Sequence, residues 1–93
     1  MIKTVRDKRV AVLLAGERPK HFPADVTQRA LIMLARLDAA LRLEDLRVPP
    51  GNRLEALSGR RAGQHSLRLN NQWRLCFVWR DGDAFDVEIV DYH

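Results

Sequence analysis

Three side chains of this sequence could share one acid–base reaction, and they belong to Glu55, Arg74 and His93. A carboxylate can take a proton from a hydroxyl, and a guanidinium can stabilise the negative charge that then develops. An imidazole, whose ordinary pKa is about 6.5, can give a proton to a leaving group. Base, cation and acid together could cleave a phosphodiester without a metal ion. His93 ends the chain, and chain ends usually fray unless they are tied down.

The other reactive side chains are predicted to be structural. Cys76 has no histidine placed to activate it, so we expect it to behave as a small apolar residue rather than as a nucleophile. A single cysteine forms no internal disulfide, and no second one stands at metal-ligand spacing. We therefore expect no metal site, no redox chemistry and no cofactor. His21, in a proline-bounded loop, and His65, on a predicted strand, are not expected to be catalytic.

The charge pattern indicates a polyanionic partner. The chain has 16 Lys and Arg against 12 Asp and Glu, a net charge of +4. Residues 50–80 contain six arginines and one acid, net +5, whereas residues 81–93 contain five acids and no Lys or Arg. Arginine suits phosphate because its planar group can donate two parallel hydrogen bonds. The alternative is a solvated surface that happens to be rich in arginine.

The length of 93 residues predicts one domain, residues 1–93, with a small core and a shallow site. No apolar run approaches the ~18 residues of a membrane span, and the first residues lack the apolar stretch of a signal peptide. We therefore expect a cytoplasmic protein that does not interact with membranes.

Apolar residues recur every three or four positions in the first half of the chain, which predicts two helices. The first covers about residues 7–16, with Asp7 as its N-cap and Gly16 at its end. The second begins near Pro23. Its apolar stripe is expected to face the core and consists of Val26, Ala30, Met33, Leu34, Leu37 and Leu41.

After Pro49-Pro50-Gly51 the period changes from 3.6 to 2, so strands are expected in the second half. Alternation predicts them at 64–69, 73–80 and 84–90, with a short strand at 54–57 and an edge strand at 1–5. Asp81-Gly82 predicts a type I′ hairpin and Asn70-Asn71 an earlier turn. In the last strand, one face is expected to carry Phe85, Val87 and Ile89.

These elements predict an α+β fold in which helices cover one face of a small antiparallel sheet and leave the other face open. Alternation places Arg74 and Cys76 on the open face, with Arg68 on the next strand and Glu55 at the rim. Tyr92 falls on the open face and His93 on the helix side, so the last residue has to turn back. The core side of the central strand carries Trp73, Leu75, Phe77 and Trp79.

Segments along the whole chain resemble a known family. They are GNRLEALSG at 51–59, NQWRLCF at 71–77, DAFDVEIVDYH at 83–93, MIK at 1–3 and ARLDAA at 35–40. Together they resemble the HigB branch of the RelE/ParE toxins of type II toxin–antitoxin systems. The resemblance implies two N-terminal helices packed on one face of a twisted antiparallel sheet. It also implies that the ribosome and its messenger RNA are partners, with cleavage in the A site.

The resemblance further implies a HigA-like helix-turn-helix antitoxin and a free toxin that is monomeric. RNA supplies its own nucleophile, the 2′-hydroxyl, so Glu55 would be the base, Arg74 the charge stabiliser and His93 the acid. Tyr92 would stack on a base or bond a phosphate. The substrate-binding residues would be Arg53, Arg60, Arg61, Arg68, Asn71 and Asp91, although a turn role explains Asn71 equally well.

Two positions depart from the family pattern. Many HigB toxins have His in place of Glu55 and Lys in place of Ser58, and Glu55 resembles the carboxylate base of the YoeB relatives. Two alternative functions stay open. One is a non-enzymatic gyrase poison of the ParE kind, which shares the fold, and the other, suggested by Ser58, is a degenerate toxin that only binds its antitoxin or operator. Expression in a cell distinguishes the ribonuclease from the gyrase poison, because the first would arrest translation and the second would damage DNA.

Overall fold

The computed structural model describes residues 1–92 and shows two helices followed by a four-stranded antiparallel sheet. The predicted α+β fold is confirmed. The helices are α1 (Lys8–Leu14) and α2 (Ala24–Ala39), and the strands, in sheet order, are β1 (Glu55–Ala56), β2 (Gln64–Arg68), β3 (Trp73–Arg80) and β4 (Asp83–Asp91). Three short 3₁₀ helices, Leu43–Arg47, Pro50–Asn52 and Gly59–Arg61, lie between α2 and β2. No helix within residues 1–92 has the length and apolar character needed to cross a membrane.

The core lies between the two helices and one face of the sheet. The predicted stripe of α2 is buried from Val26 to Leu37, but Leu41 follows the end of α2 and is 82% exposed. On the sheet side, the fully buried or nearly buried residues are Leu67, Leu75, Phe77, Ala84, Val87 and Ile89. Trp73 and Trp79 pack against this core and are partly buried.

The strand β4 contains a bulge that its sequence pattern does not show. The ladder between β3 and β4 shifts register near its middle, where β4 has one extra residue. Asp86 lies in this segment with a φ of 52°, in the left-handed region. The extra residue inverts the alternation, so Ala84 and Val87 are both fully buried. The prediction that Phe85 shares a face with Val87 and Ile89 is therefore wrong.

The β3–β4 turn agrees with the sequence-based prediction, whereas the N-terminal segment differs from it. Asp81 and Gly82 have φ values of 53° and 83°, which confirms the hairpin that needs two left-handed residues. The edge strand expected at residues 1–5 is reduced to two isolated parallel bridges, Ile2 to Ala84 and Val5 to Val87. The N-terminal segment thus covers the free edge of β4.

Asp7 joins the start of α1 to β4. Its carboxylate accepts hydrogen bonds from the backbone N–H of Arg9 at 2.9 Å, from the Arg9 guanidinium at 2.8 Å and from the backbone N–H of Ile89 at 3.0 Å. Burial by itself would raise the pKa of Asp7, but the hydrogen bonds from Arg9 and Ile89 outweigh it and hold the pKa below its ordinary value. The charged carboxylate therefore stabilises the folded state.

Replacing Asp7 with alanine is expected to lower the free energy of unfolding by about 2 kcal/mol, because a helix cap and a bond to β4 are both lost. Because folding lowers this pKa, the contribution is present above the ordinary value of about 3.9 and disappears as the pH falls below it. Urea unfolding at pH 7 and pH 3 measures both effects. Asp7→Asn, which keeps a helix cap, should lose less free energy of unfolding than Asp7→Ala. An Ala variant that is destabilised equally at both pH values would contradict this account.

Candidate functional site

A cleft of about 250 Å³ opens at the end of the sheet where β2 turns into β3. It is lined by Arg53, Arg68, Asn70, Asn71, Arg74 and Tyr92. Three of these residues are arginines and none is an acid, so the cleft attracts anions. The sheet face opposite α2 supplies Arg68 and Arg74, which are cross-strand partners in the β2–β3 ladder.

Arg74 is a largely buried charge of the cleft, with a side chain 15% exposed. One of its terminal nitrogens, Nη2, lies 2.7 Å from Glu55 Oε1 and donates a 2.9 Å hydrogen bond to the backbone carbonyl of Arg53. Its Nε is buried and has no hydrogen-bond acceptor within the described residues. The guanidinium is thus fixed in place while part of its donor capacity is unused. The Glu55 carboxylate is 51% exposed and can reach a ligand.

The turn that precedes β1 presents Arg53 to the cleft. Arg53 has a φ of 47°, in the left-handed region, and follows a fully buried asparagine, Asn52. The Asn52 amide nitrogen donates to the carbonyls of Leu46 and Val48 at 3.3 and 3.1 Å. These bonds hold the loop against the protein, so Glu55 and the Arg53 carbonyl meet Arg74. The sequence analysis missed Asn52, whose only signal was a polar residue next to Pro49-Pro50-Gly51.

The turn between β2 and β3 forms the opposite wall of the cleft. The Asn70 side chain accepts hydrogen bonds from the backbone N–H groups of Gln72 and Trp73, both at 2.8 Å. The side-chain oxygen of Asn71 instead accepts a hydrogen bond from the Arg68 guanidinium. Asn70 therefore builds the turn, and Asn71 orients an arginine of the cleft.

Tyr92 closes the cleft at the end of β4. Its backbone N–H donates to the carbonyl of Gln72 at 2.6 Å, which continues the pairing with β3 beyond Asp91. The Arg74 guanidinium lies 5.8 Å from the centre of the Tyr92 ring, within the range of a cation–π contact. With 43% of its surface exposed, Tyr92 presents an aromatic face at the cleft wall.

The structure brings most of the predicted site residues together but not all of them. Five of them line the cleft, namely Arg53, Arg68, Asn71, Arg74 and Tyr92. Glu55 does not line the cleft but contacts Arg74 at 2.7 Å. Arg60 is exposed on the 3₁₀ helix Gly59–Arg61 and does not line the cleft. Arg61 bonds Gln64 at 3.0 Å and lies 3.6 Å from the Glu88 carboxylate.

Two more predicted residues remain. Asp91 accepts a hydrogen bond from the Gln72 side chain at 3.1 Å and does not line the cleft. Its position opposite Trp73 in the ladder, where alternation points to the helix side, explains this. His93 lies outside the described residues.

The centre of the sheet face opposite α2 is more enclosed than predicted. Ser66 and Cys76, which are ladder partners, are both fully buried. Burial raises the pKa of the Cys76 thiol, so the thiolate is disfavoured. Burial also lowers the pKa of His65, whose ring lies 6.3 Å from that of Phe77. Among residues 1–92, no group of three or more His, Cys, Asp and Glu side chains could hold a metal ion.

Replacing Cys76 with alanine is therefore expected to leave the biological activity unchanged, at a loss of about 1 kcal/mol in the free energy of unfolding. A growth assay of cells that express this variant or the unaltered protein measures the first effect. In the native protein, a thiol-alkylating reagent should react with Cys76 only after denaturant is added. Rapid alkylation of the folded protein together with a changed effect on growth would show that the thiol is a reactive group.

Comparisons with known proteins agree with this architecture. A family model described as the RelE-like toxin of the type II toxin–antitoxin system HigB matches residues 5–93. Toxin HigB-1 of Vibrio cholerae is 43% identical over 71 residues, which cover 76% of this chain and 75% of that protein. Endoribonuclease HigB of Proteus vulgaris is 30% identical over 97 residues that cover both chains completely.

Solved structures show the same fold at low sequence identity. A crystal structure of an E. coli YafQ mutant superposes with a TM-score of 0.64 and 12% identity, covering 98% of this chain and 93% of that one. YafQ from E. coli strain BL21(DE3) gives a TM-score of 0.58 with the same coverage. With a family match that spans nearly the whole sequence, the chain belongs to the HigB-like family of RelE-like toxins of type II toxin–antitoxin systems.

Proposed function

We propose that this toxin is an endoribonuclease that cleaves messenger RNA in the ribosomal A site and so stops translation. The observation that carries the proposal is the contact of 2.7 Å between Glu55 and Arg74 at the edge of an arginine-lined cleft. A phosphate bound to Arg74 would place the neighbouring ribose next to a carboxylate. A non-enzymatic poison needs no such pairing of base and cation.

In the proposed reaction, the RNA supplies the nucleophile and the protein moves the protons. Glu55 takes the proton of the 2′-hydroxyl, and the oxygen forms a bond to the adjacent phosphorus. Arg74 stabilises the additional negative charge on the phosphoryl oxygens. The bond from phosphorus to the 5′-oxygen breaks, and that oxygen takes a proton from His93. The products are a 2′,3′-cyclic phosphate and a 5′-hydroxyl, and no step requires a metal ion.

The ribosome is proposed to position the substrate, because the cleft is too small to bind a long RNA segment by itself. A volume of about 250 Å³ is below the usual ~300–1,000 Å³ of small-molecule pockets. Tyr92 offers an aromatic face, and stacking of one base on such a face contributes about 1–3 kcal/mol. Arg53, Arg68 and Asn71 would bind the flanking phosphates or bases.

As a toxin of a type II system, the protein has an antitoxin partner. We propose that this partner is a HigA-like helix-turn-helix protein. We also propose that residues 1–93 form one domain and that the toxin is monomeric without the antitoxin. It acts in the cytoplasm, where translating ribosomes are located.

The experiment that tests the function maps RNA ends after incubation of purified toxin with a messenger RNA, with and without ribosomes. We expect cleavage only with ribosomes, within the A-site codon, with a 2′,3′-cyclic phosphate on the upstream fragment. A message carrying a 2′-O-methyl group at the cleavage position is the matched control and should stay intact. Fragments ending in a 3′-hydroxyl would contradict attack by the 2′-oxygen, and equal cleavage of free RNA would contradict ribosome dependence.

This cleavage experiment, together with expression of the toxin in cells, separates the two alternative functions. A gyrase poison would leave every message intact and cause DNA damage in expressing cells, while translation would continue at first. A degenerate toxin would leave messages intact and arrest neither process. Either result would overturn the proposed activity.

A further inference from the structure

Two arginines of α2 converge on a single neutral oxygen outside the cleft. Arg29 Nη2 and Arg36 Nη1 lie 3.2 and 3.5 Å from Asn52 Oδ1. The two residues are seven positions apart, about two helical turns, so they lie on the same side of α2. Arg29 is half-buried and Arg36 is exposed, and the other N–H groups of both guanidiniums can reach a further ligand.

These two charges have no carboxylate partner among residues 1–92. Within the part of the chain that the structure describes, no Asp or Glu lies at ion-pair distance from either guanidinium. The acid one turn before Arg29 on α2, Asp25, accepts a hydrogen bond from Asn70. Two cations that share one neutral acceptor repel each other, and an anion bound between them removes this repulsion. The arrangement is therefore suited to an oxyanion.

Helix α2 is linked to both walls of the cleft. Asn52, which both guanidiniums contact, directly precedes Arg53, a residue of the cleft wall. Asp25, on the same helix, bonds Asn70 of the opposite wall at 3.1 Å. The two arginines of α2 are thus joined to the cleft wall through the turn that contains Asn52. A strand with regularly spaced phosphates can contact both places, whereas one isolated acidic group contacts only one of them.

We propose that Arg29 and Arg36 bind a phosphodiester group of RNA outside the cleft, with Asn52 fixing the two guanidiniums. The proposal rests on the proposed function and extends its substrate contacts to a second phosphate site. Because each guanidinium can donate two parallel hydrogen bonds to phosphate, the pair can bind such a group from two sides. The phosphate belongs either to the substrate strand or to ribosomal RNA, and the two sources are separable by experiment.

The test measures fluorescence anisotropy of labelled RNA with the full-length toxin and with an Arg29→Gln/Arg36→Gln variant. A trinucleotide, which covers a much shorter surface, and a nonanucleotide, both 2′-O-methylated against cleavage, are compared. We expect the variant to bind the nonanucleotide about tenfold more weakly, with the salt dependence of log Kd reduced by about one. Binding of the trinucleotide should stay within about twofold, since the arginines of the cleft are unchanged.

The matched control is Arg42→Gln/Arg80→Gln, which removes the same charge from exposed positions. Arg80 ends β3 far from the cleft, and Arg42 follows Leu41, whose carbonyl lies beside Gly82 of the β3–β4 hairpin. Equal losses in the control and the test variant would overturn the proposal, because they would show only a general charge effect. If the double variant folds poorly, Arg36→Gln alone changes only an exposed side chain and should show a smaller loss of the same kind.

A second arm uses vacant ribosomes in place of oligonucleotides. Weaker binding of the double variant to the nonanucleotide identifies the substrate strand as the ligand, and weaker binding confined to vacant ribosomes identifies ribosomal RNA. No loss beyond the control in either arm overturns the proposal. If the unaltered toxin cleaves messenger RNA on programmed ribosomes while the double variant binds RNA normally, only the proposal of a second phosphate site is wrong. If the unaltered toxin fails to cleave, the proposed function itself is wrong.

Discussion

Replacement of Arg74 with alanine is expected to lower the rate of messenger RNA cleavage on ribosomes by roughly 10²–10³-fold, as for the loss of a positioned charge stabiliser in other enzymes. The structure gives the reason, because the Arg74 side chain is only 15% exposed, contacts Glu55 and the Arg53 carbonyl, and lines the cleft. Single-turnover cleavage of a programmed ribosome measures the chemical step. A matching loss of toxicity should follow in expressing cells.

Two further variants make this expectation specific. Arg74→Lys keeps the positive charge but loses the planar fork, so it should be slower than the unaltered toxin and faster than Arg74→Ala. Arg80→Ala removes an arginine from the far end of the same strand and should cleave normally. Thermal unfolding of all three variants checks that each is folded. An Arg74→Ala toxin that is folded and cleaves at the normal rate would contradict the role of this side chain.

Alternation along the strands was enough to predict the face on which the cleft lies. Arg68 and Arg74 face each other across the β2–β3 ladder, and Glu55 lies at the rim of the same face, as expected from a period of two. This prediction works because the β1–β2 and β2–β3 ladders have no register shift. The helix stripe from Val26 to Leu37 was predictable for the same kind of reason, since a single face of α2 is buried.

The differences arise where local geometry departs from a regular period. A single extra residue near Asp86 reverses the alternation in β4, and no residue type in that strand signals it. The 3₁₀ helix that ends at Arg61 turns that side chain toward Glu88 and away from the cleft. Arg61 is predicted from the sequence to bind substrate because it is positively charged. The direction of its side chain depends on a short irregular segment whose geometry the sequence pattern does not show.

The roles of the two adjacent asparagines also depended on geometry that the sequence does not contain. Asparagine tolerates turns, so the side chain of either residue could have bound the backbone. In the structure the Asn70 side chain accepts two backbone N–H groups, which leaves the Asn71 side chain to contact Arg68. Asn52 contacts Arg29 and Arg36, from which it is separated by 23 and 16 positions along the chain. Such a contact depends on how the loop folds back on α2.

Glu55→Gln is the second variant for which a large loss is expected, roughly 10²–10⁴-fold in the rate of cleavage, since it removes the proposed general base. The glutamine oxygen can still lie against Arg74 Nη2, which is 2.7 Å from Glu55 Oε1, so the geometry of the cleft should survive. Binding of an uncleavable RNA is therefore expected to change by less than about threefold. Single-turnover rates and anisotropy on the same preparation separate the two effects.

Glu55→His provides the decisive companion, because an imidazole can act as a base only in its neutral form. Since the proposed acid, His93, must be protonated while the new imidazole must be neutral, part of the lost activity should return in a bell-shaped pH profile with its maximum near the ordinary imidazole pKa of about 6.5. Glu55→Gln should show no such recovery at any pH. If the histidine variant is as inactive as the glutamine variant at every pH, or if the glutamine variant cleaves at the normal rate, residue 55 is not the base, and the proton of the 2′-hydroxyl must go elsewhere.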